Sequence, residues 1–173
     1  MIKFLSRFKN QLTSAAESDP PTVLAPSLQM PGSPWAADGD FLLEEQVTVS
    51  GLMALFRRVL LAFELDDDSL VVETESGRVR VMVDEARKLI ALRTIFRFRE
   101  RSDPAARLVL ANRLNAGLIL VRFSVVDEDV LYADYNLIFE RGLPAYQLVT
   151  TIRRFINVAR GGVTEFDTED VIG

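Results

Sequence analysis

The side chains with which this chain could do chemistry are two carboxylate runs, Asp66-Asp67-Asp68 and Asp127-Glu128-Asp129, and a set of alternating arginines. Neither cysteine nor histidine occurs in its 173 residues. That removes thiolate nucleophiles, disulfides, most zinc sites and the commonest general base near neutral pH. Catalysis would have to rest on carboxylate, lysine, tyrosine or hydroxyl groups, and a metal would have to be a hard, oxygen-bound ion. Residues 66–68 lack the alternating ligands, glycine turn and closing glutamate of a calcium loop, so they read as a solvated loop. A carboxylate-based hydrolase using either run would lack a pocket and an orienting base. The expectation is a non-enzymatic protein with no catalytic residue, cofactor or metal.

The arginines are better organised. Arg78 and Arg80 alternate with Val79, Val81 and Val83, and Arg93, Ile95, Arg97 and Arg99 alternate with Ile90, Leu92, Thr94, Phe96 and Phe98. This is the period-two pattern of half-buried strands, here Arg78 to Asp84 and Leu89 to Arg99. Two further strands, Leu118 to Val126 and Val130 to Phe139, meet across a tight loop at 127–129. That register sets Leu131, Ala133, Tyr135, Leu137 and Phe139 against Ile119, Val121, Phe123 and Val125, leaving Arg122, Tyr132 and Asp134 outside. The expected outer face carries Arg78, Arg80, Arg93, Arg97, Arg99 and Arg122, interleaved with Ile95 and Tyr132. Arginines beside apolar groups suit carboxylates and phosphates, which makes this the candidate partner-binding face. Cross-strand pairing with Glu73, Glu75 and Asp134 is the simpler account of the same residues. A nucleic-acid-binding module is the alternative, although the aromatic platforms for stacking single strands are missing.

Helices must position these strands. Ser50 is placed to cap a helix whose stripe is Leu52, Leu55, Phe56, Val59, Leu60 and Phe63. Met53 and Leu61 widen that stripe, which suggests cover on more than one side and a homodimer. The acidic stretch Glu64 to Ser69 is expected to end the helix, before a strand at Leu70 to Thr74 and a turn at Glu75-Ser76-Gly77. Ser102-Asp103-Pro104 opens a second helix, and Asn115-Ala116-Gly117 closes it, with Gly117 available for a left-handed turn. Asn112 shares a helical face with Ala105, Leu108 and Val109, so its amide is expected to turn toward the sheet as a structural clasp; Asn115 is expected to cap the helix end. Pro144 opens a third helix, with the stripe Ala145, Leu148, Val149, Ile152, Phe155, Ile156 and Ala159, stopped by Gly161-Gly162.

The flanks differ from this middle in composition. Residues 1–18 carry a net +2, 19–46 a net -5, 47–161 a net +2 and 162–173 a net -4, so the overall -5 belongs to the flanks. Ile2, Leu5, Phe8 and Leu12 could form a short basic amphipathic helix with weak membrane-surface contact. It lacks the apolar core of a secretory signal. Five of the seven prolines lie between Pro20 and Pro34, marking a linker, and Trp35 and Phe41-Leu42-Leu43 are expected to pack on a core edge. With roughly 100–200 residues expected per domain, the division is an N-terminal segment and linker at 1–45, one domain at 46–161 and an acidic, mobile tail at 162–173. No apolar run approaches the ~20 residues that span a bilayer, and the expected location is the cytoplasm.

The resulting fold class is α+β, an antiparallel sheet of about five strands with helices in the order α-β-β-β-α-β-β-α. From about Val47 to Arg160 the chain resembles the YbjN family, described as bacterial sensory transduction regulators. The likeness is carried by Asn112 and Asn115 in the segment 110–117, by the two-strand return ending in Tyr135-Asn136-Leu137, and by the helix after Pro144. The resemblance implies a fold similar to type III secretion chaperones and no catalytic site. It further implies a protein-interaction module, a chaperone-like adaptor or regulator in bacterial signalling or stress response, with another protein or peptide as partner.

Overall fold

A computed structural model describes residues 41–126 and 129–173. The expected amphipathic segment at 1–12, the proline-rich linker, Trp35, and the loop residues Asp127 and Glu128 lie outside the described residues. Helix α1 spans Val49–Arg58 and buries Leu52, Leu55 and Phe56. Its cap is Thr48, whose hydroxyl accepts from Gly51 N at 3.1 Å, so the expected cap Ser50 lies inside the first turn. The apolar stripe also stops sooner than its spacing suggests. Leu61 N donates to Phe56 O and Leu60 N to Arg57 O, a paired closure that puts Leu60 at φ 55° with 92% of its surface exposed. A left-handed leucine is strained by about 1–2 kcal/mol, and this one contributes no burial in return. Leu60→Gly should therefore raise the stability by about 1 kcal/mol, and a thermal melt some 2–4 °C higher would show it.

The main sheet has six antiparallel strands in the order β2-β3-β4-β5-β7-β6. They are β2 (Phe63–Asp66), β3 (Ser69–Thr74), β4 (Gly77–Asp84), β5 (Leu89–Arg97), β6 (Arg122–Val126) and β7 (Val130–Ile138). The strand absent from the sequence-based expectation is β2. Phe63 and the first acids of the expected loop pair with β3, Phe63 opposite Val72, and the Phe63 ring meets Phe56 of α1 at 5.8 Å between centroids. Alternation gives the inner face Leu70, Val72, Val79, Val81, Ile90, Leu92, Leu131 and Ala133, all at 1% exposure or less. Against these strands pack α1, at β3, and α3 (Ala145–Phe166), at β4 and β5.

Helix α2 (Pro104–Gly117) lies against β6 and α3, capped by Asp103, which accepts from Ala105 N at 3.1 Å. Its buried side is Arg107, Leu110, Ala111 and Leu114. The expected inner face is thus rotated: Leu108, Val109 and Asn112 are exposed. Strand β6 starts at Arg122 rather than Leu118, and Ile119 is 84% exposed. Two glycine readings also change. Gly117 does not take a left-handed turn, and Gly162 does not stop α3. A Cβ on Gly117 would lie 2.3 Å from Phe166 Cζ, and one on Gly162 would lie 2.4 Å from Leu118 Cδ1. Both glycines therefore make room for side chains where α2 meets α3, Phe166 over Gly117 and Leu118 over Gly162.

After α3 the chain is anchored, not a loose tail. Asp167 accepts from Val171 N at 2.8 Å and Ile172 N at 2.9 Å, Val171 is buried, and Ile172 bridges to Phe98 beyond the end of β5. A second, two-stranded sheet joins β1 (Phe41–Leu42) to β8 (Leu143–Pro144); of the three residues expected to pack on a core edge Leu42 is buried, whereas Phe41 and Leu43 are exposed. Glu44 holds this corner, accepting from Arg141 N at 2.9 Å and from Lys88 Nζ at 3.0 Å. The Arg141 amide first, then Lys88, lowers its pKa below the ordinary glutamate value. A depressed carboxylate contributes stability that is present above its unfolded pKa and lost as pH falls through the folded value. Glu44→Gln should accordingly flatten the fall in stability on the acid side, measured by urea titrations at stepped pH.

Candidate interaction surface

The outer face of the main sheet is built by the residues that alternate with the core. One row crosses all six strands: Glu64, Val71, Arg80, Arg93, Asp134 and Arg122 stand side by side in register. Arg93 Nε bonds Asp134 Oδ1 at 2.7 Å, and its guanidinium lies 4.4 Å from the Tyr132 ring centroid. Beneath that plate the Asp134 side chain is only 12% exposed, so the expected outside position is right for the strand face but the carboxylate is enclosed. Arg80 binds Asp66 and donates to Ser69 Oγ at 2.6 Å, while Arg78 meets Glu64 at 2.9 Å and Glu73 at 3.8 Å. Arg97 reaches Asp129 at 3.3 Å.

Arg99 stands apart from this face. It ties the end of β5 to the last residues, donating to Asp170 at 2.7 Å and Ile172 O at 3.0 Å. Arg122 is exposed and has no acidic partner among the described residues. Apart from Arg93–Asp134, these pairs are exposed on one or both sides, and such pairs contribute about 0–1 kcal/mol each. They can therefore exchange partners at little cost. Between them lie Ile95, 49% exposed, and half-buried Tyr132, while Ile138, 65% exposed, stands opposite Leu89 at the other end of the β5–β7 ladder.

The two asparagines separate. Asn112 faces solvent, because the helix is rotated from the expected setting, and the clasp is made by Asn115. Its Nδ2 donates to Phe123 O and its Oδ1 accepts from Phe123 N, both at 2.8 Å. The amide thus does for edge strand β6 what a neighbouring strand would do. Asn115→Ala should cost about 2 kcal/mol, two hydrogen bonds at about 1 kcal/mol each, and hydrogen exchange at the Phe123 amide should rise with it.

Sequence reasoning missed two further arginines. Arg107 is 8% exposed and holds the turn before α2, and Arg160 reaches the sheet from α3 beside Gly77. Neither position has a sequence signal, since each reads as the solvent side of an amphipathic helix. Asp66 and Asp129, described members of the two acidic runs, are not brought together. Asp66 lies in edge strand β2, and Asp129 in the loop between β6 and β7. Among the described residues, no group of three or more carboxylates could hold a metal ion.

The family model for YbjN, described as "Putative bacterial sensory transduction regulator", matches residues 48–168. This chain belongs to the YbjN family. Its fold is similar to the "Crystal structure of YbjN, a putative transcription regulator from E. coli", with TM-score 0.59 and 15% identity over 74% of this chain and 96% of that one. That likeness extends the YbjN assignment to the three-dimensional fold. A weaker similarity, TM-score 0.45 at 18% identity over 62% of this chain and 86% of the other, is to the "Structure of the HopA1-SchA Chaperone-Effector Complex". No curated protein matches the sequence. No described helix is long and apolar enough to cross a membrane.

Proposed function

We propose that this YbjN-family chain is a non-enzymatic protein-interaction module, a chaperone-like adaptor or regulator in bacterial signalling or stress response. The observation that carries the reading is the outer sheet face, where exposed Ile95 lies beside half-buried Tyr132 among ion pairs that solvent already reaches, and exposed Ile138 extends the apolar surface at the far end of β7. A partner gains the burial of those isoleucines and of half-buried Tyr132, about 25 cal/mol per Å² of apolar surface covered. It also meets guanidinium groups whose present partners are worth little. The family description, a sensory transduction regulator, agrees with a role played by binding rather than by turnover. Nucleic acid is a poorer occupant of this face, because Arg93 already covers the Tyr132 ring on which a base would stack.

The test is affinity capture with the full chain and an Ile95→Asp/Ile138→Asp variant, each analysed by mass spectrometry. Proteins recovered by the first and lost with the second support the proposal. Equal recovery by both, or no protein above a bead control, overturns it. A second copy of the chain would fit the same face, and light scattering at micromolar concentration then gives a dimeric mass that the double variant reduces to the monomer.

A further inference from the structure

Strand β4 begins at Gly77 and β5 continues to Arg97, yet the ladder between them ends at Arg80 opposite Arg93. Both strands stay paired on their other sides, β4 with β3 as far as Gly77 opposite Thr74, and β5 with β7 as far as Arg97 opposite Val130. The sheet is therefore split locally rather than frayed. The split is held open from within. Thr94 Oγ1 donates to Arg78 O at 3.0 Å, which replaces a backbone partner with a side chain. Ile156 and Arg160 of α3 come up against Gly77, where a Cβ would lie 3.6 Å from both Ile156 Cδ1 and Arg160 Nε.

The gap so formed is a cleft of about 340 Å³ lined by three arginines, Arg78, Arg80 and Arg160, of which Arg78 already holds Glu64 and Glu73. Asp66 is the one acid in its wall, and Arg80 already holds it. Arg160 is exposed, with no acidic partner among the described residues. The remaining wall is largely apolar, with Ile95, Phe96 and Ile156. Arginines and apolar side chains lining one cleft select an anion attached to an apolar body, since the guanidinium fork binds carboxylate or phosphate oxygens in pairs. We propose that the β4–β5 cleft binds a small amphipathic oxyanion, a carboxylate or phosphate carried on a flat apolar group, with Arg160 as the principal anion contact. The cleft shares Arg78, Arg80 and Ile95 with the outer face, whereas Arg160, on α3, lies outside that face and tests the cleft separately.

The experiment titrates the ¹⁵N-labelled full chain with 1-naphthyl phosphate and, separately, with 1-naphthoate, using neutral 1-naphthol as the control. The expected result is saturating shifts at the Gly77, Thr94 and Ile95 amides with at least one anion, weakened at least tenfold in Arg160→Gln and less in Arg160→Lys. Whichever anion saturates at the lower concentration identifies the headgroup. Three outcomes overturn the proposal: neither anion moves these amides at millimolar concentration, 1-naphthol moves them equally, or Arg160→Gln binds as the unaltered chain does.

Discussion

Gly142→Ala should destabilise the protein by about 3 kcal/mol or more, a drop of roughly 6–12 °C in the melting midpoint for a chain of this size. Gly142 sits at φ 91°, a backbone conformation that side chains rarely adopt, and alanine there is strained by about 1–2 kcal/mol before any contact is considered. The contacts are worse. Its Cβ would come within 2.2 Å of Leu42 O, 2.6 Å of Phe41 Cε1 and 3.1 Å of Leu43 Cα. Two of those three atoms are backbone and have no rotamer by which to move aside. Strand β1 has to leave β8, which exposes Leu42 and breaks the hold of Glu44 on the Arg141 amide. Urea unfolding gives the magnitude, and amide shifts confined to residues 41–46 and 140–145 give the location. A variant melting within 1 °C of the parent would show that β1 does not dock in this way.

Arg107→Ala should cost about 3 kcal/mol, a large effect for a residue that the sequence presents as a surface arginine. The guanidinium is buried, donating to Ser102 Oγ at 2.9 Å, Ser102 O at 3.0 Å and Arg99 O at 3.3 Å. It also lies 5.1 Å from the Phe98 ring centroid. Removing it leaves the Ser102 carbonyl and hydroxyl short of a donor and uncovers a buried ring, each loss worth about 1 kcal/mol, while Arg99 O keeps Ser102 N and Ser102 Oγ as donors. Arg107→Lys keeps the charge but loses the fork, so its melting midpoint should fall between those of the parent and the alanine variant. Equal stability of all three would refute the role given to this side chain.

The period-two strands were the most legible part of the fold. Val79, Val81, Ile90, Leu92, Leu131 and Ala133 each sit on the face that alternation assigns, because a one-residue slip would have turned every one of them to water. The α3 stripe was legible for the same reason, with seven apolar positions on one side. The α2 face was not, because Leu108 and Val109 compete with Leu110 and Leu114 for the inside, and the choice is made by what β6 and α3 present. Strand β2 was hidden since Phe63 continues the helical spacing of α1. The left-handed turn at Leu60 and pairing with β3 decide against the helix, and both are tertiary facts. At Gly161-Gly162 the usual stop signal was outweighed by helix crossing, a contact between residues some forty positions apart. On the candidate surface, alternation placed Arg78, Arg80, Arg93 and Arg97 on the outer side, but it could not show which carboxylate each one holds.

The strand order carries a consequence for the route by which the chain assembles. Every adjacent pair in the main sheet is a local hairpin except β5 with β7, whose partners are separated by the whole of α2. Closing a loop of roughly 30 to 50 residues costs entropy that grows as the logarithm of its length, about 0.6 kcal/mol per doubling. That cost falls on a single seam. The β2-to-β5 meander and the β6–β7 hairpin can each form through short-range contacts, and the molecule acquires its core when the two meet. Substitutions along Leu92 and Ala133, both buried on the inner face at that seam, are therefore expected to slow folding, whereas those in the β2–β3 hairpin are expected to act mainly by speeding unfolding.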